Sequence, residues 1–271
     1  MAVSLKQISQ EARANSLAQI HPENGDYQDE TGLWFCGLCH TPKQIRPRNA
    51  REKLLFGDSL PCLCDCMTRK RDEEIARERQ REAKRAADEA RREGFADIGR
   101  QHQTFASAED TGVIRAAKRY ADGWAQNRSR SGLYLYGPPG SGKTFAASCI
   151  ANAIIDSGYT VLVTSLPRLI GKMLTSDAAD VLSRIAAVSL LVLDDFGTER
   201  HTETAAEKSF QVIDTRVSSG KPMIVTSNLS LAEVCQDGDI AARRMASRLR
   251  GACVPVFVGG ADRRSPVIPE F

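Results

Sequence analysis

The chain has 271 residues, 26% of them charged, and a formal net charge of +3. That length accommodates one α/β domain of ordinary size plus a smaller module, and so small a positive excess excludes polyanion binding by the whole surface, leaving only local patches. No apolar run comes near the roughly 18 residues that a membrane span needs, and the opening stretch lacks the apolar core of a signal peptide, so the expected location is the cytoplasm, with no membrane contact.

In chain order, residues 1 to about 30 predict a short amphipathic helix carrying Leu5, Ile8, Leu17 and Ile20, then a polar turn around Pro22 to Gly25. Residues 31–66 hold five of the eight cysteines: Cys36, Cys39, Cys62, Cys64 and Cys66. With no secretory signal, that clustering predicts a metal and not a disulfide framework. Cys36-x-x-Cys39 and, after 22 intervening residues, Cys62-x-Cys64-x-Cys66 offer two knuckles that can close a tetrahedral Zn²⁺ site. Five thiols for four positions leave one spare, and His40 is a further substitute. A segment with so few large apolar residues needs such a cross-link to fold. Four thiolates would leave no open position for water, so the expected role is structural.

Met67 to Glu93 contains no Pro or Gly, and its charge is dense and of both signs. Glu73 with Arg77 and Asp88 with Arg92 stand at i,i+4, while Glu78 with Arg81 and Glu82 with Arg85 stand at i,i+3, which supports a solvated helix about 40 Å long. Sustained apolar a and d positions of a coiled coil are missing, so the run reads as a spacer. After Gly94 the pattern alternates between strand and helix. Strands are expected at 133–136, 160–164, 189–193, 223–226 and 254–258, short and mostly apolar as in a parallel sheet buried on both faces. The expected domains are thus 1–66, 67–94 and 95–271.

Gly137, Pro138, Pro139, Gly140, Ser141, Gly142, Lys143 and Thr144 match the phosphate-binding pattern G-x-x-x-x-G-K-[ST], between a predicted strand and a predicted helix. Glycines let successive backbone N–H groups turn toward phosphates, Lys143 supplies a point charge, and the Thr144 hydroxyl can ligate Mg²⁺. These residues, with Phe145 next to them, are the expected ATP-binding set. The strand 189–193 runs into Asp194 and Asp195, which places two carboxylates at the carboxyl edge of the sheet. Asp194 would hold Mg²⁺ and Asp195 would orient and deprotonate a water. The strand 223–226 ends similarly before Asn228, whose amide can hold the water or the γ-phosphate. Further on, Arg244 and Arg248 lie four apart and share a helix face. They can reach the phosphate of a neighbouring subunit, or simply form a solvated basic face.

Together Gln103-Thr104-Phe105, GPPGSGKT, LLVLDDFGTER, IVTSN, RRMASRL and the closing GGADRRS, spread over about residues 103–264, resemble the DnaC/DnaI-type helicase loaders and the related IstB-like transposition ATPases, a clade of AAA+ proteins. The resemblance implies an α/β AAA+ P-loop NTPase with a five-stranded parallel sheet and no full helical lid, preceded by a zinc module and a charged helix. It implies Asp194 and Asp195 as Walker B, Asn228 as sensor one, Arg244 and Arg248 as trans-acting arginines, and Arg264 as sensor two, with Arg263 as its rival. Asp195 stands where many AAA+ ATPases carry Glu, so slow hydrolysis is expected. The resemblance also selects Cys36, Cys39, Cys64 and Cys66 as the zinc ligands, with Cys62 as substitute. Its implied partners are a DnaB-type replicative helicase, single-stranded DNA and further copies of the chain in an ATP-bridged oligomer. The function implied is helicase loading in replication initiation; the alternative is an IstB-like transposition ATPase acting on duplex DNA with a transposase. For DNA contacts the sequence suggests the loop 198–202, with Lys172 and Lys208 as weaker candidates.

Overall fold

Two compact units divide the chain, and the boundary between Glu82 and Ala83 falls inside one helix. The structure, a computed structural model, describes residues 20–124, 126, 131–197, 202–236, 240–260 and 262. Leu5, Ile8 and Leu17 of the expected first helix, residues 198–201 of the proposed DNA loop, and both Arg263 and Arg264 lie outside the described residues.

The first unit is built from short pieces. Strands β1 (Tyr27–Gln28) and β2 (Trp34–Phe35) form one antiparallel ribbon, and β3 (Gln44–Ile45) and β4 (Leu60–Pro61) form another, with helix α1 (Ala50–Phe56) between β3 and β4. Two-residue strands bury too little to be stable alone. The unit is fastened instead by a buried ion pair: Lys43 Nζ donates to Asp26, whose two oxygens also accept from the backbone N–H groups of His21 and Gly37. Helix α2 (Asp65–Gly94) starts here and crosses into the second unit.

In the second unit a fully parallel sheet has the order β6-β7-β8-β5-β9, with β5 (Gly132–Tyr136), β6 (Val161–Ser165), β7 (Leu190–Phe196), β8 (Met223–Ser227) and β9 (Cys253–Phe257). All five expected strands are present, within a few residues of the sequence reading. Alternation along them splits the core into two layers. Leu191, Leu193, Met223 and Val225 face one cluster, with α5 (Leu166–Thr175), α6 (Ala178–Ala187), α7 (Glu203–Ser218) and α9 (Ile240–Ala252). Leu190, Val192 and Ile224 face the other, with α3 (Gly112–Asp122) and α4 (Lys143–Asp156).

The last turns of α2 are more than a spacer. Ala87 and Ala90 pack against the second cluster, and Ala96 N–H donates to Val163 O at 2.9 Å, so the chain leaving α2 covers the free edge of β6. Asp88 pairs with Arg91 at 3.1 Å, not with Arg92 as the spacing predicted, because Arg91 also reaches Asn152 and Asp156 on α4.

Among the fully buried side chains is Arg216. It donates to the carbonyls of Ile185, Val188, Ser189 and Pro222 at 2.6–3.2 Å. Burial lowers its pKa to about 10, and the ring of carbonyls replaces the water it has lost.

Candidate functional site

The phosphate loop leaves the C-terminal end of β5, between its neighbours β8 and β9, and runs into the N-terminus of α4, where the N–H groups of a first helical turn and the helix dipole favour an anion. Two of its glycines hold conformations that a side chain would strain. Gly137 has φ 148°, and a Cβ there would meet Val258 O at 2.2 Å; Gly140 has φ 74°, and its Cβ would meet an Asp262 carboxylate oxygen at 1.8 Å. The closing segment thus lies directly on the loop.

Lys143 is buried, and its ammonium donates to Gly137 O at 2.9 Å, to Pro138 O at 2.8 Å and to Asn228 Oδ1 at 3.0 Å. Thr144 Oγ1 donates to Asp194 Oδ1 at 2.8 Å, and Thr226 Oγ1 donates to the same oxygen at 2.6 Å. Thr226 Oγ1 in turn accepts from the N–H of Asp195 at 3.0 Å. The pairing of β7 with β8 slips between Leu193 and Phe196, and Asp195 takes φ 55°. Asp tolerates this left-handed conformation at a cost of about 1 kcal/mol. The slip turns Asp195 out of the sheet and into the cavity.

That cavity, about 560 Å³, is lined by Arg100, Gln103, Ile114 and, at its polar part, Lys143, Asp195 and Asn228. It is of a size for a nucleotide-sized ligand. The structure therefore brings together Lys143, Thr144, Asp194, Asp195 and Asn228 from three separate segments. Gly140, Gly142 and Phe145 also line the cavity. Arg244 and Arg248 stand elsewhere: the Arg244 guanidinium lies 4.7 Å from the centre of the Phe210 ring, and Arg248 pairs with Asp214 at 2.8 Å, both partners on α7. Sequence reading missed Thr226, although it sits inside the IVTSN element, and missed Arg100, which donates to Asp194 Oδ2 at 2.5 Å.

In the first unit the Sγ atoms of Cys36, Cys39, Cys64 and Cys66 all lie within 4.8 Å of one another. Tetrahedral zinc thiolates are separated by about 3.8 Å, and Cys36 to Cys66 at 3.5 Å and Cys64 to Cys66 at 3.3 Å fit that packing. Cys62 turns away and donates to Pro42 O at 3.2 Å, and the ring of His40 lies tilted against Tyr27, 5.9 Å between centres. The Thr41 hydroxyl beside Cys39 holds its thiol well below the ordinary value, while Cys64 and Cys36 beside Cys66 push that one up. Close thiolates cannot all ionise unless a cation joins them. Cys66 stands in the first turn of α2, where the helix dipole favours thiolate. The donor set thus suits a soft divalent metal.

A family model described as IstB-like ATP binding protein matches residues 48–265. The chain belongs to that family. Like other IstB-like proteins it carries an ATP-binding AAA+ core, and its neighbours in sequence come from two kinds of system. It is 29% identical over 149 residues to the replicative helicase loader DnaI of Bacillus subtilis (strain 168), covering 50% of this chain and 48% of that one. It is 34% identical over 106 residues to a protein described as ATP-binding in insertion sequence IS1162 of Pseudomonas fluorescens, covering 38% and 46%. The chain thus spans about half the length of the curated relatives it matches. The crystal structure of DnaI superposes on this IstB-like chain with a TM-score of 0.53 at 24% identity, over 63% of this chain and 96% of that one, a likeness of fold. Among the described residues no helix is long and apolar enough to cross a membrane.

Proposed function

We propose that this protein is an ATP-dependent loader that holds a hexameric replicative helicase and helps place it on single-stranded DNA. The observation that carries the reading is the presence, in one IstB-like chain, of a four-thiol module ahead of the ATPase core. IstB-like transposition ATPases usually carry a small helical domain there, and the sequence resemblance ties a cysteine module of this spacing to the loaders. In this reading residues 1–66 are the helicase-binding module, 67–94 the charged helical linker and 95–271 the ATPase.

The chemistry follows from the side chains already described. Lys143 leaves its loop carbonyls to compensate the outer phosphates, and Asn228, its neighbour at 3.0 Å, holds the γ-phosphate or the attacking water. Thr144 and Asp194 would hold Mg²⁺, which would neutralise charge developing on the transferred phosphoryl group. Asp195 takes a proton from the water as its oxygen bonds to the γ-phosphorus and the bond to the ADP oxygen breaks. Cys36, Cys39, Cys64 and Cys66 would hold Zn²⁺, which would fix the first unit in the shape proposed to bind the helicase.

Helicase loading onto a circular single strand coated with its binding protein tests this. The loader reading expects stimulation that needs both ATP and the residues before Ala83. The second reading, a transposition ATPase, draws on the likeness to the insertion-sequence protein; preference for duplex DNA with no helicase association would select it.

A further inference from the structure

Asp194, the carboxylate assigned to the metal, already faces a full positive charge from its own chain. Arg100 stands on the turn Ile98–His102; its Nη1 donates to Asp194 Oδ2 at 2.5 Å while its Nε lies 3.2 Å from Asp97 Oδ2. The Asp194 side chain is 4% exposed and that of Arg100 26%, so the contact is poorly screened by water. The other Asp194 oxygen is occupied by the Thr144 and Thr226 hydroxyls. Among the described residues, the hydrogen bonds to this carboxylate from Arg100 and Thr144 thus come from groups that a metal would displace or share, and the third comes from Thr226.

A guanidinium and a dication on one buried carboxylate repel each other strongly at contact distance. We propose that Arg100 is a built-in competitor for Mg²⁺: it holds Asp194 when no nucleotide is bound and withdraws onto Asp97 when the metal arrives with its nucleotide. The proposal rests on the reading of this cavity as a Mg²⁺-nucleotide site. The fork of the guanidinium suits the exchange, since Nε keeps Asp97 while Nη1 lets go. The backbone stays in place, because Asn152 Nδ2 donates to the carbonyls of Arg100 at 3.2 Å and Gln103 at 2.9 Å, and Asn152 Oδ1 is itself held by Arg91 Nε at 2.9 Å. The motion belongs to one side chain. Its consequence is a raised Mg²⁺ requirement, because the metal-competent arrangement is only a fraction of the free population.

The test is binding of a fluorescent ATP analogue to the full chain, in EDTA and across a Mg²⁺ series. Arg100→Gln should lower the Mg²⁺ concentration for half-maximal tightening by roughly three- to tenfold, with a much smaller change of affinity in EDTA. Asp97→Asn keeps the oxygen that accepts from Gly99 N–H but removes the carboxylate onto which Arg100 withdraws, and should raise the Mg²⁺ requirement. These opposite shifts keep the proposal testable if one variant folds poorly by thermal melting. An unmoved Mg²⁺ requirement in both variants, or an equal loss of affinity in EDTA and in Mg²⁺ for Arg100→Gln, overturns the proposal, the latter making Arg100 a phosphate ligand. If the unmodified chain binds no nucleotide with Mg²⁺, the site reading falls and takes the proposal with it.

Discussion

Lys143 and Asp195 line the same cavity, but they are asked for different things. In the proposed ATPase Lys143 supplies charge to bound phosphates, so Lys143→Ala should weaken ATP binding on the order of a hundredfold. Asp195 is proposed to act on water alone, so Asp195→Asn should bind ATP within a few-fold of the unmodified chain and lose turnover by about a hundredfold or more. Equilibrium binding and single-turnover hydrolysis separate the two, and undiminished affinity in the Lys143 variant would refute the assignment. In the first unit the buried partners are Asp26 and Lys43. Burial alone would raise the Asp26 pKa, but the Lys43 ammonium and the His21 and Gly37 N–H groups hold it below its ordinary value of 3.8. A lowered folded pKa means that the pair contributes fully above the unfolded value and that its contribution is lost as pH falls through the folded one. Asp26→Asn should therefore cost about 3–5 kcal/mol near neutrality, because it strands a buried ammonium, and the gap from the unmodified chain should close on acidification. Chemical unfolding of both chains over a pH series measures that gap. Of these residues the phosphate loop was legible because its pattern is local, whereas Asp26 and Lys43 lie 17 apart with no motif, and Arg100 reaches Asp194 across 94 positions from a plain polar stretch.

At the scale of elements, the strands could be read because each is a short apolar run whose alternate residues feed the two core layers. The slip in β7 that turns Asp195 outward could not be read, since it arises from pairing with β8 and from the Thr226 hydroxyl that receives the Asp195 N–H. Helix α2 was legible as a helix but not as an anchor: only contact with α4 and the β6 edge shows that its closing turns are structural. Arg216 on α7 is the clearest failure of pattern reading, because an arginine in an amphipathic helix normally faces water. Here it fastens the end of α6, the start of β7 and the turn before β8 at once. Arg216→Met removes every one of those donors and should lower the melting temperature of the ATPase unit by on the order of 10 °C. Circular dichroism melts read this directly, and a shift of only a degree or two would mean that water satisfies the carbonyls instead. The thiol cluster invites the complementary measurement. Cys64→Ser should abolish stoichiometric zinc, found by elemental analysis of protein purified without added metal, and unfold the first unit, while nucleotide binding persists because none of its residues lie before Ala83.

For the whole molecule the question is whether one chain makes a complete ATPase site. Arg244 rests on Phe210 and Arg248 pairs with Asp214, and neither lines the cavity of its own chain. Both partners lie on α7, four residues apart, so α7 and α9 present one continuous face that carries two guanidinium groups. The surface pair of Arg248 and Asp214, with side chains 49% and 35% exposed, is worth about 1 kcal/mol at most. Losing it is a small barrier to re-pairing with a γ-phosphate delivered by a neighbouring copy, where a trans arginine contributes far more to the transition state. We therefore expect complementation. Arg248→Ala and Lys143→Ala chains should each be inactive alone and recover part of the ATPase when mixed, because a Lys143-intact chain then meets an Arg248-intact neighbour. The recovered rate should rise with total protein concentration and saturate as sedimentation shows the chains associating. No recovery at concentrations where they demonstrably associate would leave Arg248 with the one task seen in the single chain, bracing α9 against α7.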